Sequence, residues 1–423
     1  MVKRLGGTAV GLAVGICFVS LVLGGLMKDR CFEPWNGSPF CYSDIPVVYL
    51  DRGIKDDDFP YVNGVVIDSG PAPQLANGAI EYPVLTGLFV WAAAIPVDSE
   101  DGYLRLSMLL LAPFALLVAY LLARLVERRA LLWSAAPALL FYAFHNWDLL
   151  AVAAVVSGFY LWYRGKPMWA AVLFGVGAAL KVFPIMFLAP LVLERLFARD
   201  RRGAATVLGA GIGVVALVNL PFMLINIEGW FATYEFHSLR PPNIDNVWSV
   251  RPLGPIELPD LGRDTLNWVT ALLVAVFGGV ALAFGWMRAQ REGRYPVVEV
   301  SAALLAAFLL FNKVHSPQYA LWILPFFALL RVPIAWWIAY AVVDLAVYVG
   351  TFRFFYDICA TNRCLPFADP NDSETLMNAG VYGRGFLLLM LFVVFLDARP
   401  ARTAEPPAVT GGPGPRVQPA PAQ

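Results

Sequence analysis

The chain has 423 residues, of which 59% are hydrophobic and 15% are charged, and its 31 basic and 31 acidic residues give a formal net charge of zero. Soluble domains usually carry a charge at roughly a quarter of their positions, so this composition argues against a soluble globular protein. The balanced charge also favours neither nucleic acid nor an acidic polymer as a partner. The apolar residues come in long blocks, which predicts an all-α polytopic membrane protein.

The first apolar block follows Lys3 and Arg4 and runs from Leu5 to Met27. A cleaved signal peptide has a shorter apolar core and ends at a small-residue cleavage site, which this block lacks. We therefore predict a retained first span that enters the membrane from the cytoplasm.

Clusters of Arg and Lys at 124–129, 164–166, 195–202 and 288–294 set the predicted orientation, because basic loops are retained on the cytoplasmic side. With these clusters inside, about twelve spans are predicted and both termini are cytoplasmic. The predicted spans are residues 7–26, 105–123, 130–144, 148–163, 168–181, 183–195, 203–221, 265–287, 296–312, 318–330, 333–351 and 381–397.

This topology leaves three long extracytoplasmic segments, residues 28–104, 222–264 and 352–380, in a single membrane domain of residues 1–398. The apolar block at 82–97 does not fit the alternation of sides, so it is interpreted as an interfacial or re-entrant helix; an ordinary span with another block miscounted is the alternative. Residues 399–423 are rich in Pro, Ala and Gly and predict a disordered cytoplasmic tail.

Four cysteines form two local pairs in the predicted outer segments, Cys31 with Cys41 and Cys359 with Cys364. Disulfides persist in oxidising compartments, so these pairs are disulfide candidates on the extracytoplasmic side. A zinc site is the alternative, but the spacing lacks histidines to complete four ligands. No metal and no cofactor are expected.

Asp44 lies between aromatic and apolar residues soon after the first span. A partly desolvated carboxylate in this position suits general-base chemistry on a hydroxyl, whereas a helix cap is the alternative. His145, Asn146 and Asp148 lie in a predicted outer turn, where helix capping is again the alternative for Asp148. Lys181 lies in a second outer turn, where an anion such as phosphate would balance it; a snorkelling lysine is the alternative.

A third outer turn holds Lys313 and His315, and histidine can hold a phosphate oxygen, orient a carboxylate or exchange a proton near neutral pH. The outer segment 222–264 adds His237, Arg240 and Arg251 among aromatic residues, a mixture that suits a sugar or a phosphate. A packed lid without ligand contact is the alternative for this segment.

Five motifs in this order resemble the actinobacterial polyprenol-phosphate-mannose-dependent α-1,2-mannosyltransferases, which form glycosyltransferase family 87 of the GT-C fold. The motifs are YSDIPVVYLDRG, EYPVLTG, FHNWDLLAVA, GAALKVFPIMFLAPLVL and NKVHSPQYALWILP. The resemblance covers about residues 40–330, although family members often have EYPP where this chain has EYPV. It implies a GT-C fold with a long first outer loop that carries interfacial helices.

The resemblance further implies that Asp44 is the general base and that His315 belongs to the active site. The implied reaction is an inverting transfer of mannose from polyprenyl-phosphate mannose to a glycolipid or glycan hydroxyl at the extracytoplasmic face of the plasma membrane. Lys181, Lys313 and Arg251 would stabilise the leaving phosphate. The alternatives are transfer of arabinofuranose or glucose from the same carrier, and a lipid or solute transporter, which would show its site near the midplane of two related halves.

Overall fold

The computed structural model describes residues 2–31, 38, 40–56, 58–68, 72–249, 262–359 and 372–402, and these are mostly helical. The α-helices of the described residues are, in chain order, α1 (Val2–Lys28), α2 (Asp44–Asp51), α3 (Val84–Ala94), α4 (Glu100–Val126), α5 (Leu131–Ser134), α6 (Pro137–Tyr142), α7 (Asp148–Tyr163), α8 (Pro167–Leu180), α9 (Leu188–Phe197), α10 (Arg201–Ile225), α11 (Ile227–Leu239), α12 (Arg263–Glu292), α13 (Val297–Phe311), α14 (Ala320–Leu329), α15 (Ile334–Cys359) and α16 (Asp372–Asp397).

Short 3-10 helices occupy Ile54–Asp56, Glu127–Ala130, Phe183–Phe187 and Pro317–Tyr319. The strands of the described residues are β1 (Val65–Ile67) and β2 (Gln74–Ala76), which pair antiparallel with Val65 opposite Ala76. This small hairpin lies between α2 and α3, in the predicted first outer segment.

Six helical segments of the described residues are long and apolar enough to cross a bilayer: Gly7–Lys28, Glu100–Ser134, Arg201–Ile225, Arg263–Glu292, Ile334–Asp357 and Ser373–Asp397. Large apolar side chains on two of these helices face outward, with Leu217, Leu224 and Trp268 at 75%, 77% and 78% exposure. Such a surface is unfavourable in water and is expected where a helix faces lipid. The chain is therefore a multi-pass membrane protein, and the count of twelve spans stays a prediction.

The remaining apolar helices are shorter, and four of them, α7, α8, α13 and α14, form much of the buried core. The predicted interfacial block at 82–97 forms α3, which has 11 residues. At about 1.5 Å per residue, a helix of this length covers roughly half of a hydrocarbon core of about 30 Å. Thr86 at the start of α3 donates to Leu180 O over 2.6 Å, which holds α3 against the end of α8.

Several predicted boundaries differ from the observed helices. The predicted outer segment 352–380 is helical at both ends, because α15 continues to Cys359 and α16 begins at Asp372. At the predicted tail, Arg331 N donates to Arg399 O and Ala401 N donates to Leu329 O, each over 2.7 Å. Residues 399–402 are thus attached to the segment after α14, while residues 403–423 lie outside the described residues.

Candidate functional site

A cavity of about 720 Å³ opens between the ends of several short helices, within the roughly 300–1,000 Å³ that is usual for small-molecule sites. It brings together residues from α2, from three of the predicted outer turns and from the end of α11. The predicted site residues that line it are Asp44, His145, Asn146, Lys181, His237 and Lys313. One cavity therefore gathers ionisable side chains from widely separated positions of the chain, from Asp44 to Lys313.

Asp44 reaches the cavity because its segment is joined to the turn at residues 144–146. Ser43, with an extended backbone, caps α2 by accepting a hydrogen bond from Ile45 N over 3.2 Å. Ser43 also donates to Phe144 O over 2.9 Å, and Asp44 N donates to His145 O over 2.9 Å. The helix cap is therefore Ser43, which leaves the Asp44 carboxylate available to the cavity.

Two further contacts attach this segment to the end of the first span. Cys31 and Cys41 form a disulfide. The buried Lys28 ammonium donates to Tyr42 O and lies 5.8 Å from the ring centroids of Tyr348 and Phe352. Together they hold the backbone immediately before Asp44.

The partners of the Asp44 carboxylate are neutral. Asn146 Nδ2 donates to Asp44 Oδ2 over 2.8 Å and to the Tyr82 hydroxyl over 2.8 Å. His145 Nε2 lies 3.7 Å from Asp44 Oδ2, but burial and the nearby Lys28 hold the pKa of His145 well below its ordinary value, so this histidine is uncharged. Among the described residues, Asp44 has no Lys or Arg within ion-pair distance.

This environment makes Asp44 more basic than an ordinary aspartate. Burial raises its pKa, and the hydrogen bond from Asn146 opposes that rise only in part. The side chain keeps 25% of its surface exposed toward the cavity. A carboxylate that is partly desolvated, oriented and still accessible meets the requirements for a general base.

Asp148 lies directly behind the cavity wall and has a different set of partners. Trp322 Nε1 donates to Asp148 Oδ1 over 2.7 Å, and Lys181 Nζ lies 3.5 Å from the same oxygen. Asp148 is the first residue of α7, whose N-cap is Trp147, so capping does not explain this carboxylate. Lys181 Nζ also lies 4.7 Å from the ring centroid of Tyr82, a cation–π distance.

A second ion pair, which the sequence analysis did not single out, lies on the same wall. Arg52 Nε donates to Glu81 Oε2 over 2.9 Å and Arg52 Nη2 to Glu81 Oε1 over 3.3 Å, so the contact is bidentate. Burial alone would raise the pKa of Glu81, but Arg52 lowers it overall. His237 Nε2 donates to Glu81 O over 2.8 Å. Both residues belong to motifs that the sequence analysis had already singled out, Arg52 to YSDIPVVYLDRG and Glu81 to EYPVLTG.

Aromatic rings form another part of the wall that the sequence analysis missed. Trp322 is stacked between Phe183 and Tyr319, with ring centroids 4.0 Å and 3.8 Å away. All three rings border the cavity beside Lys181. Tyr319 and Trp322 belong to the motif SPQYALW, which contributed to the resemblance.

His315 lies behind the cavity wall instead of lining it, while its neighbours Val314 and Ser316 do line it. His315 Nδ1 donates to Leu309 O over 2.8 Å, and the imidazole packs against Tyr319 with centroids 5.6 Å apart. Burial lowers its pKa well below the ordinary value, so it is neutral. In this arrangement His315 contacts the cavity through Tyr319.

The other predicted residues are placed as follows. Lys313 lines the cavity, and its ammonium donates to Ser238 O over 2.8 Å and to Arg240 O over 3.0 Å. Arg251 and Cys364 lie outside the described residues, and the side chain of Cys359 is likewise not described. Within the described part of the chain, no group of three or more His, Cys, Asp or Glu side chains is placed to hold a metal ion; that no metal takes part stays a prediction.

The fold defines a multi-pass membrane protein, and its cavity gathers ionisable side chains from the ends of several helices. The sequence profile of glycosyltransferase family 87 matches residues 82–312, which is more than half of the chain. The chain therefore belongs to glycosyltransferase family 87 and is a membrane glycosyltransferase. No curated protein and no solved structure matches the chain.

Proposed function

We propose that this protein transfers a mannosyl residue from polyprenyl-phosphate mannose to a hydroxyl of a glycolipid or glycan, with inversion at the anomeric carbon. The observation that carries the proposal is the Asp44 carboxylate, which lines the cavity, accepts a hydrogen bond from the uncharged Asn146 and has a pKa that burial raises. Membership of family 87 supports the reaction class. The family resemblance of the motifs around Asp44 supports the donor.

In the proposed reaction, Asp44 removes the proton of the acceptor hydroxyl as that oxygen attacks C1 of the β-linked donor. The bond between C1 and the phosphate oxygen breaks, and polyprenyl phosphate leaves with the electron pair. This leaving group needs stabilisation of its charge and no added proton. Lys181 and Lys313, which both line the cavity, are the proposed cations, and His315 is proposed to position Tyr319.

The donor is tested directly by incubating purified protein in nanodiscs with lipid and glycan acceptor extracts and one radiolabelled polyprenyl-phosphate sugar at a time. We expect label to pass from polyprenyl-phosphate mannose into the lipid or glycan fraction. If label passes only from the arabinofuranose or the glucose carrier, that sugar and not mannose is the one transferred. Transfer from a nucleotide sugar, with none from any lipid carrier, would contradict the proposal.

We place the reaction at the extracytoplasmic face of the plasma membrane, with both termini in the cytoplasm. Ser316 borders the cavity in the turn between α13 and α14, so it reports the side on which the cavity opens. A Ser316→Cys variant should react in intact cells with a maleimide that cannot cross the membrane. Labelling only after lysis would place the cavity on the cytoplasmic side and contradict the orientation.

A further inference from the structure

The charges along the cavity wall are not evenly matched. Three carboxylates in or beside the wall each have a cation of their own. These pairs are Glu81 with Arg52 at 2.9 Å, Asp148 with Lys181 at 3.5 Å, and Asp245 with Arg384 at 3.7 Å. Among the described charged residues that line the cavity, this leaves Asp44 at one position and Arg240 and Lys313 at another.

Arg240 and Lys313 are held close together although both are cationic. Lys313 is only 6% exposed, and its ammonium uses two of its three hydrogens on Ser238 O and Arg240 O. Arg240 donates from one guanidinium nitrogen to Asn243 Oδ1 over 3.1 Å and lies 5.4 Å from the Phe236 ring centroid. Both side chains therefore keep donors that no carboxylate of the described residues uses.

The positive charges of Arg240 and Lys313 repel each other. Burial first, and then the positive charges of Arg240 and Arg263, lower the pKa of Lys313 to about 8. An anion bound to both side chains would offset this repulsion, because a nearby opposite charge favours the charged form of each. Ile244 and Val314 add apolar surface to the same cavity.

This cationic pair is separate from Lys181. Lys181 Nζ contacts Asp148 and the rings of Tyr82 and Tyr319. Lys313 Nζ instead contacts the backbone carbonyls of Ser238 and Arg240, where α11 ends. Of the four described Arg and Lys residues that line the cavity, Arg52 and Lys181 thus each have a carboxylate within ion-pair distance, whereas Arg240 and Lys313 have none.

We propose that Arg240 and Lys313 form a binding site for the phosphate group of a lipid-linked substrate. The planar guanidinium can hold two phosphate oxygens at once, and the remaining ammonium hydrogen can hold a third. The phosphate has two sources of the same chemistry: the polyprenyl phosphate of the donor, or the phosphodiester headgroup of an anionic acceptor lipid. The lipid nature of the ligand rests on the function proposed above.

The test is a binding measurement that needs no turnover. Full-length protein in nanodiscs of neutral lipid is titrated with polyprenyl phosphate, with polyprenol that lacks the phosphate, and with phosphatidylinositol. The variants are Arg240→Gln and Lys313→Gln. Arg263→Gln is the matched control, because it removes a neighbouring positive charge that is already paired with Asp68 at 2.9 Å outside the cavity.

We expect each variant of the pair to lower the affinity for one phosphate lipid by about tenfold or more, which is the usual effect of losing a charged hydrogen bond. The affinity for polyprenol should not change, and the control variant should bind all three lipids as wild type does. Loss of polyprenyl phosphate binding assigns the site to the donor, and loss of phosphatidylinositol binding alone assigns it to the acceptor. Arg240→Lys, which keeps the charge but not the fork, should recover part of the affinity. Equal binding of both phosphate lipids in wild type, Arg240→Gln and Arg263→Gln would overturn the site.

This result is independent of the transfer assay. If polyprenyl phosphate binding depends on Arg240 but no mannose is transferred, the anion site stands and the proposed reaction falls. If mannose is transferred while binding ignores Arg240 and Lys313, the reaction stands and the anion site falls. Since Arg240 is only partly buried, its substitution is not expected to prevent folding.

Discussion

Asp44 and Asp148 are neighbouring carboxylates with opposite surroundings. Asp148 is fully buried, lies 3.5 Å from Lys181 and accepts a hydrogen bond from Trp322. Asp44 keeps a quarter of its surface exposed and accepts hydrogen bonds from uncharged groups. Asp148 does not line the cavity and holds an ion pair behind the wall, whereas Asp44 is open to the cavity, where an oriented, partly desolvated carboxylate can take a proton from a bound hydroxyl. The difference separates the proposed general base from the ion pair that lies behind the wall.

The largest expected effect is on the rate. Asp44→Asn keeps the size of the side chain and its contact with the cavity but cannot accept a proton. We expect kcat for sugar transfer to fall by about 10²- to 10⁴-fold, the usual contribution of a general base, with little change in thermal stability. Asp51→Asn, an exposed carboxylate at the end of the same helix, is the control and should keep its rate. Wild-type turnover by Asp44→Asn would show that another group is the base.

Asp148→Asn should instead act on stability. It leaves the Lys181 ammonium buried without its counter-charge, and breaking such a pair usually costs about 3–5 kcal/mol. Reversible denaturation in mixed micelles measures the loss. The Asp148→Asn/Lys181→Met double variant should recover much of it, because no unpaired charge remains. If the single variant is as stable as wild type, the Asp148–Lys181 contact is not the support inferred for it.

The position of Asp44 depends on the backbone and a covalent bond instead of on a charge pair. Removing the disulfide with Cys31→Ser/Cys41→Ser should lower the free energy of unfolding by roughly 2–3 kcal/mol, the expectation for a short closed loop. The rate should fall as well, since the disulfide holds the chain just before Asp44. Cys17→Ser, which changes a buried free cysteine in the first span, is the control. An unchanged rate would mean that the contacts of Ser43 and Asp44 with residues 144 and 145 suffice.

The distribution of Arg and Lys predicted the same side of the membrane for several turns, and that side stays a prediction. Asp44, Asn146, Lys181 and Lys313 were all predicted on one side, and all line one cavity. Which of them are partners could not be predicted. Asp148 and Lys181 come from different turns, and each had a simple local explanation as a cap or a snorkelling side chain. Their pairing depends on how α7 and α8 pack.

The misplaced boundary of α16 has a similar cause. Its first residues, DSETLMNAG, are polar enough to resemble a loop, yet they continue the helix. Gly350 and Gly380 allow α15 and α16 to approach so closely that a side chain at either position would meet the partner backbone. Met377 and Val347 pack into the resulting contact. This tertiary packing, which has no periodic signature in the sequence, overrides the local preference for a loop.

The smallest expected effect concerns the pH dependence and tests the neutral partner of Asp44. The hydrogen bond from Asn146 favours the ionised carboxylate, so it holds the pKa of Asp44 below the value that burial alone would set. Because the base must be ionised, transfer should rise with pH through the raised pKa of Asp44. Asn146→Ala removes the donor and should move this acid limb of kcat/KM to higher pH, with most of the rate retained on the alkaline side. Asn267→Ala, outside the cavity, should leave the profile in place. A limb that stays fixed or moves to lower pH would show that Asn146 does not set the basicity of Asp44.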